Sequence, residues 1–285
     1  MMKRIVIPVR PDGKSRNVLA HAAALARRYD AHVVITHCRP RAEDMMPFGV
    51  PISASMKKLL LAQSGEVANA EEEGLREELR SLTDELGLAL SDEPLATEAS
   101  ASWVEQEGRQ VDVIKRHGRL ADIICVAKPD VSRNLGMNTL KAALFNTGRP
   151  VMMCPPTDTP PGALCERVSI AWNGSSQARR AVALTLPIIE RADEVVVLTS
   201  GSEIHGAEAD DLVDYLAARG VTARIERFVS RRKNVGAELL RLSAEHGADT
   251  MIMGAYSESH ERESMFGGNT QHIVDQAKTP VIMVH

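Results

Sequence analysis

Gly267 and Gly268 stand directly before Asn269 and Thr270, and the residues that follow read as a helix. Paired glycines let backbone approach a ligand closely. A helix start adds unpaired N–H groups at the positive end of a dipole. The chemistry implied is the cradling of a phosphate or another small anion, although a Gly-Gly pair also serves as an ordinary turn before a helix. Two further segments belong with it, Trp172–Asn173–Gly174–Ser175 and the run that begins at Gly254 and Ala255. Between Gly254 and Gly267 lie Glu258, Glu261 and Glu263, balanced only by His260 and Arg262. A loop of that sign disfavours a triphosphate unless a metal ion or Arg232 and Lys233 compensate.

Other chemistry is poorly represented. No G-x-S-x-G elbow, complete Walker sequence or H-E-x-x-H occurs, so no catalytic residue is assigned. Gly13–Lys14–Ser15 resembles the tail of a Walker loop, but the earlier glycine is replaced by Pro8. His37 and Cys38 are neighbours on one strand and point to opposite faces, so they are not expected to share a metal. No metal site is assigned. Cys38, Cys125 and Cys154 sit in apolar runs and read as small buried hydrophobes. Cys154 and Cys165 flank a linker, so greater exposure stays open for these two, but nothing near them points to a lowered pKa. Trp172 reads as a core residue beside the crevice whose indole can reach a base. His272 reads as a surface or helix-packing residue.

These segments need a scaffold, and the chain supplies it twice. Residues 155–166, PPTDTPPGALCE, hold four prolines and a glycine, which excludes a helix interior or central strand. On either side the same order recurs. RIVIPV (4–9) matches RVSIAW (167–172), and HVVITHC (32–38) matches EVVVLTS (194–200). RHGRLADIICVA (116–127) matches AEHGADTMIMGA (244–255), and GRPVMMCP (148–155) matches KTPVIMVH (278–285). Strands alternating with helices imply right-handed crossovers and a parallel sheet. Continuous apolar strands imply helices on both faces. The expected architecture is α/β, with domains at 1–155 and 167–285, each a five-stranded doubly wound sheet, joined by a linker at 156–166. Ligands in such sheets bind beyond the carboxyl ends of the strands, where the three candidate segments fall. The first half carries an insertion near 40–60, in which Met45, Met46, Phe48 and Met56 suggest an apolar flap or a self-packed loop. A long charged helix over about 56–86 follows.

Composition narrows the function. The chain has 285 residues, 44% hydrophobic and 25% charged, with a formal net charge of −4 and 3% aromatics. That suits a globular protein and gives no overall attraction to nucleic acid or anionic membrane. No run approaches a membrane span, and the opening apolar run ends at Arg10, so a cytoplasmic location is expected.

The two halves resemble tandem universal stress protein domains. The second is the closer match, through its opening strand ending before N-G-S, through ADEVVVL and HGADTMIMGAY, and through the ending FGGNTQHIVDQAKTPVIMVH. The first matches through RHGRLADIICVAKPD and FNTGRPVMMCP. The resemblance implies two Rossmann-like domains of the adenine nucleotide alpha hydrolase-like class, paired within one chain through their last strands. A further homodimer is an open possibility. It also implies an adenine nucleotide, ATP (with Mg) or AMP, held by the second domain. The ATP-binding pattern of the family is G, two residues, G, nine residues, G, then Ser or Thr. Here it falls on Gly254, Ser257, Gly267 and Gly268, so its second and fourth positions depart. Asn173 stands where an acidic residue is usual and keeps hydrogen bonding to a ribose or adenine edge without charge. Related tandem proteins with an F-G-G-x-T ending are also similar to this chain, which implies that Thr270 serves in the Ser/Thr role. The residues assigned to ligand binding are thus Asn173, Gly174, Gly254, Ala255, Gly267, Gly268, Asn269 and Thr270. In the first half only Gly136 resembles part of a cradle, and Arg10–Pro11–Asp12–Gly13 ends the first strand, with Arg10 a candidate anion fork. That half reads as having lost the nucleotide pattern. The implied function is regulatory, in stress response, through a bound nucleotide or other small anion. The alternatives are a non-nucleotide protein acting through protein contacts, and a weak ATPase or nucleotide-using enzyme.

Overall fold

The computed structural model describes residues 2–39, 72–157, 159–162, 164–200, 206–229, 235–256 and 268–285. The first half runs β1 (Arg4–Val9), α1 (Ser15–Tyr29), β2 (His32–Arg39), a helix α2 over 72–85, β3 (Ala89–Leu90), β4 (Ser100–Glu107), α3 (Gln110–Gly118), β5 (Ile123–Ala127), α4 (Met137–Thr147) and β6 (Val151–Cys154). The second runs β7 (Arg167–Ala171), α5 (Ser176–Ile189), β8 (Glu194–Thr199), α6 (Ala209–Ala217), β9 (Ala223–Arg227), α7 (Val235–Glu245), β10 (Thr250–Gly254), α8 (Asn269–Gln276) and β11 (Val281–Val284). The apolar flap residues Met45, Met46, Phe48 and Met56, and the start of the long charged helix, lie outside the described residues.

All strands form one sheet of order β3-β4-β2-β1-β5-β6-β11-β10-β7-β8-β9. Within each half the first strand is central and its neighbours pair in parallel, as crossover helices require. The first half adds a strand to the expected five, the two-residue β3 at the sheet edge. The halves meet where β6 pairs antiparallel with β11, Met152 opposite Ile282. Every residue of these two strands is buried, so the junction is central core.

Alternation along the strands explains the two apolar layers. Ile5, Ile7 and Val9 join one cluster with α1, α2, α5 and α6, whereas Val6 joins another with α3, α4, α7 and α8. Likewise Ile282 and Val284 face the first layer, and Val281 and Met283 the second. Because β1, β2, β10 and β11 are covered on both sides, their sequences read as unbroken apolar runs rather than alternating ones. Edge strand β9 has no buried residue and mixes half-buried with exposed positions.

The repeated A-D phrase before the fourth strand of each half has a physical role. Asp122 Oδ2 accepts the backbone N–H groups of Lys3 (2.6 Å) and Arg4 (2.9 Å) at the start of β1. Asp249 accepts those of Cys165 (2.7 Å), Glu166 (2.9 Å) and Arg167 (2.8 Å) at the start of β7. Each aspartate thereby ties the first strand's entry to the fourth strand beside it. This also draws in the end of the linker. Cys154 and Cys165 are both fully buried, which agrees with the reading of Cys154 as a small buried hydrophobe and extends it to Cys165.

Candidate functional site

In the second half, β7, β8 and β10 end on one side, and a cleft opens there. It is lined by Trp172, Asn173, Ser175, Ser200, Phe228, Val235, Met253, Gly254, Tyr256, Asn269 and Thr270, with Ala171, Leu198 and Leu239 deeper. The cavity measures about 120 Å³. Three helix starts reach it: Ser175 caps α5, Val235 opens α7, and Asn269 and Thr270 open α8. Among the described residues, no lining side chain carries a formal charge. The helix ends among them each contribute a positive potential equivalent to roughly half a charge.

The polar side chains are held by local bonds that set their direction. Asn173 Oδ1 accepts the N–H of Ser175 at 3.1 Å, closing an Asx turn, and Ser175 Oγ accepts the N–H of Ala178 at 3.2 Å. Asn269 Oδ1 accepts the N–H of Gly236 at 3.0 Å. Thr270 Oγ1 accepts the N–H of Tyr256 at 3.4 Å. Each group keeps capacity toward a ligand: an amide NH₂ on Asn173 and Asn269, and a hydroxyl hydrogen on Thr270. Tyr256 adopts φ 56°, an unusual conformation for a bulky residue, at the point where the chain leaves the cleft. Its ring packs at 5.3 Å against Phe145 of α4, which in turn meets His285 edge-on at 4.7 Å.

The fold brings together four of the eight residues assigned from sequence, namely Asn173, Gly254, Asn269 and Thr270. Gly268 stands immediately before α8 with φ 96°, a conformation that favours glycine. Two others serve the scaffold instead. A Cβ on Gly174 would approach the carbonyl oxygen of Ala207 within 2.8 Å, so this glycine admits the neighbouring 206–207 backbone. Ala255 is fully buried, and its N–H donates to the Val284 carbonyl at 2.8 Å. Gly254 lines the cleft, but its lack of a side chain answers to α5: a Cβ there would meet the Ala178 nitrogen at 2.5 Å. Gly267, Ser257, Arg232, Lys233 and the acidic loop of Glu258, Glu261 and Glu263 lie outside the described residues.

Phe228, Ser200 and Val235 were not legible as site residues. They arrive from β9, β8 and α7, and only the sheet order places them at the same edge. Trp172 is 6% exposed, and its Nε1–H donates to the Ala207 carbonyl at 3.1 Å, so one face closes the core while an edge reaches the cleft. His272 is exposed on α8, as expected.

The equivalent edge of the first half is taken up by its own side chains. Lys14 Nζ lies 3.8 Å from Asp130 and 3.5 Å from the Lys128 carbonyl. Lys128 Nζ donates to the Ala277 carbonyl of the other half at 2.8 Å. Asp130 and Leu135 exchange backbone bonds that close the loop before α4. A hydrogen bond from Ser132 and another from the Arg133 N–H hold the Asp130 carboxyl below its usual range. Gly136 sits against Pro129 and caps α4. Arg10 is exposed. Groups of His, Cys, Asp and Glu suited to a metal are absent among the described residues. No helix of the described residues is long and apolar enough to cross a membrane.

The universal stress protein family model matches residues 1–128 and again 165–285. The chain belongs to the universal stress protein family. The two matched segments are the two repeats, so the membership is of the tandem kind. Solved structures agree on the fold. A universal stress protein from Archaeoglobus fulgidus DSM 4304 superposes with a TM-score of 0.73 at 14% identity, covering 99% of this chain and 95% of that one. A putative universal stress protein from Pseudomonas aeruginosa UCBPP-PA14 gives 0.54 at 14% identity, covering 99% and 93%. At such identities the likeness extends to the Rossmann-like α/β fold alone. A comparison with curated proteins found no match.

Proposed function

We propose that the chain is a regulatory universal stress protein whose second domain, 167–285, binds an adenine nucleotide or a similar small anion, while the first, 1–155, serves as its structural partner. One observation carries this reading. The starts of α5, α7 and α8 converge on a cleft whose described lining is uncharged and partly aromatic. Helix starts favour an anion, and Trp172 and Phe228 favour a flat ring. The cavity of about 120 Å³ is well below the roughly 300 Å³ at which drug-sized pockets begin. A base fits inside such a volume, and the phosphates then sit at the helix starts around its mouth. Asn269 and Thr270 are the side chains best placed to orient them, and Asn173 is placed for the ribose or base edge. The described lining is uncharged, which suits AMP, whereas ATP calls for Mg²⁺ or basic side chains to offset its charge. The Lys14–Asp130 pair and the Asp130–Leu135 bonds at the equivalent first-half edge support a single nucleotide site per chain.

The test is a thermal-shift titration with ATP, ADP and AMP, each with and without Mg²⁺. Ligand at 100 times its Kd adds about 2.7 kcal/mol of stability. A saturable shift that Thr270→Val weakens supports the reading. No shift at millimolar nucleotide overturns it in favour of a protein acting through protein contacts.

A further inference from the structure

A second cavity lies far along the sheet from this cleft, in the first half. It measures about 280 Å³ and opens between α2 and the outer edge of β4. Strand β3 stops at Leu90 while β4 continues to Glu107, so the chain at Ser91 and Asp92 peels away and leaves room beside Trp103. The floor is apolar, formed by the buried Ile35, Leu79 and Ala101. Trp103 forms one wall. Its ring stacks on His37 at 5.7 Å with 23° between planes, and its indole N–H has no acceptor among the described residues.

Arg76 and Arg80, one turn apart on α2, reach the rim of this cavity. Glu73 and Glu77 lie three residues before them, at helical pairing distance in sequence, yet no ion pair forms with either arginine among the described residues. Two other carboxylates of α2 are paired: Glu85 with Arg16 at 3.2 Å, and Glu72 with Arg39 at 3.7 Å. Two unpaired guanidinium groups on adjacent turns suit a compact dianion, because each presents a planar fork to tetrahedral oxygens. Asp92 is the one carboxylate among the described lining residues and opposes a longer polyanion.

We propose that this cavity binds a small aromatic phosphate monoester, its phosphate held by Arg76 and Arg80 and its ring laid against Trp103. The site is independent of the nucleotide cleft and uses no residue of it.

The protein contains two tryptophans, so Trp172→Phe leaves Trp103 as the sole indole reporter. Titration of that variant with phenyl phosphate is expected to change Trp103 fluorescence saturably, with inorganic phosphate competing weakly. Charge-assisted bonds of this kind predict at least about a tenfold loss of affinity in Arg76→Gln/Arg80→Gln. Both arginines are exposed, so the double variant is expected to fold. Adding Thr270→Val is expected to leave the response unchanged. No saturable change at millimolar phenyl phosphate overturns the proposal. So does an equal response to phenol, or a response that survives loss of both arginines. A thermal shift of the unmodified protein by phenyl phosphate provides a readout that does not depend on the tryptophan substitution.

Discussion

Asn269 and Gly236 lock the starts of α8 and α7 together. The Gly236 N–H donates to Asn269 Oδ1 at 3.0 Å, and a Cβ on Gly236 would come within 2.9 Å of the Asn269 carbonyl oxygen. The contact has no room for any side chain at 236. It also means that a residue assigned to ligand binding from its sequence context spends half of its amide on scaffold.

Gly236→Ala is therefore expected to push α7 and α8 apart and to destabilise the fold by roughly 1–3 kcal/mol. Asn269→Ala leaves an N–H unpaired and costs roughly 1 kcal/mol. Urea denaturation measures both, and the nucleotide thermal shift should weaken in each variant because two helix starts lose their common alignment.

Gly254 separates packing from binding. Gly254→Ala places a methyl against the backbone of Gln177 and Ala178. A loss of roughly 1–3 kcal/mol is expected even without ligand. Equal stability of this variant and the parent would show that α5 yields, and that the glycine is not required by packing.

Asp249 accepts three backbone N–H groups. Asp249→Ala is expected to cost about 1–3 kcal/mol, since three backbone donors, that of buried Cys165 among them, lose a charged acceptor. Asp249→Asn, which keeps one acceptor oxygen, should recover part of it. Denaturation midpoints at pH 7 compare the three.

Burial lowers the pKa of His21, His32 and His37 below 6.5, with desolvation the main cause in each. The folded state then holds these imidazoles neutral where the unfolded chain protonates them. Stability is expected to fall as pH drops below about 6.5, by up to roughly 1.4 kcal/mol per pH unit for each group. His32 bridges Ser100 and Ser102 at 2.8 Å each. His32→Asn should flatten the dependence measured by denaturation from pH 7.5 to 5 (about two His titration ranges).

Burial pushes the Cys165 thiol up to about 12 and the Cys154 thiol well above its usual range. Cys125 is also buried, and Cys38 is half-buried. Iodoacetamide on the native protein at pH 8 should label Cys38 before the others, and all of them after unfolding. Mass spectrometry of peptides reads the order. Rapid native labelling of Cys165 would contradict its burial.

Much of the architecture was legible. The echo of RIVIPV in RVSIAW, and of GRPVMMCP in KTPVIMVH, marked two copies of one unit. Their unbroken apolar runs marked strands covered on both faces. The A-D phrase was legible as a repeat but not as a strand anchor, because its bonds join residues 82 to 119 positions apart. Of the residues assigned from sequence, Asn173 just after β7, Gly254 at the end of β10, and Asn269 and Thr270 at the start of α8 line one cleft. The site was not legible at Gly174 and Ala255, whose neighbours Ala207 and Val284 arrive from other elements.

Local order and strand identity came from the sequence by itself, since apolar runs, prolines and turn residues act over a few positions. Tertiary structure alone decided which strand ends share an edge, and so brought Phe228, Ser200 and Val235 to the cleft. It also decided that Gly254 serves α5 and that Lys14, Asp130 and Lys128 occupy the equivalent edge of the first half. The physical reason is that steric exclusion and charge pairing depend on distances in space. Those distances are set only once the halves have packed around β6 and β11.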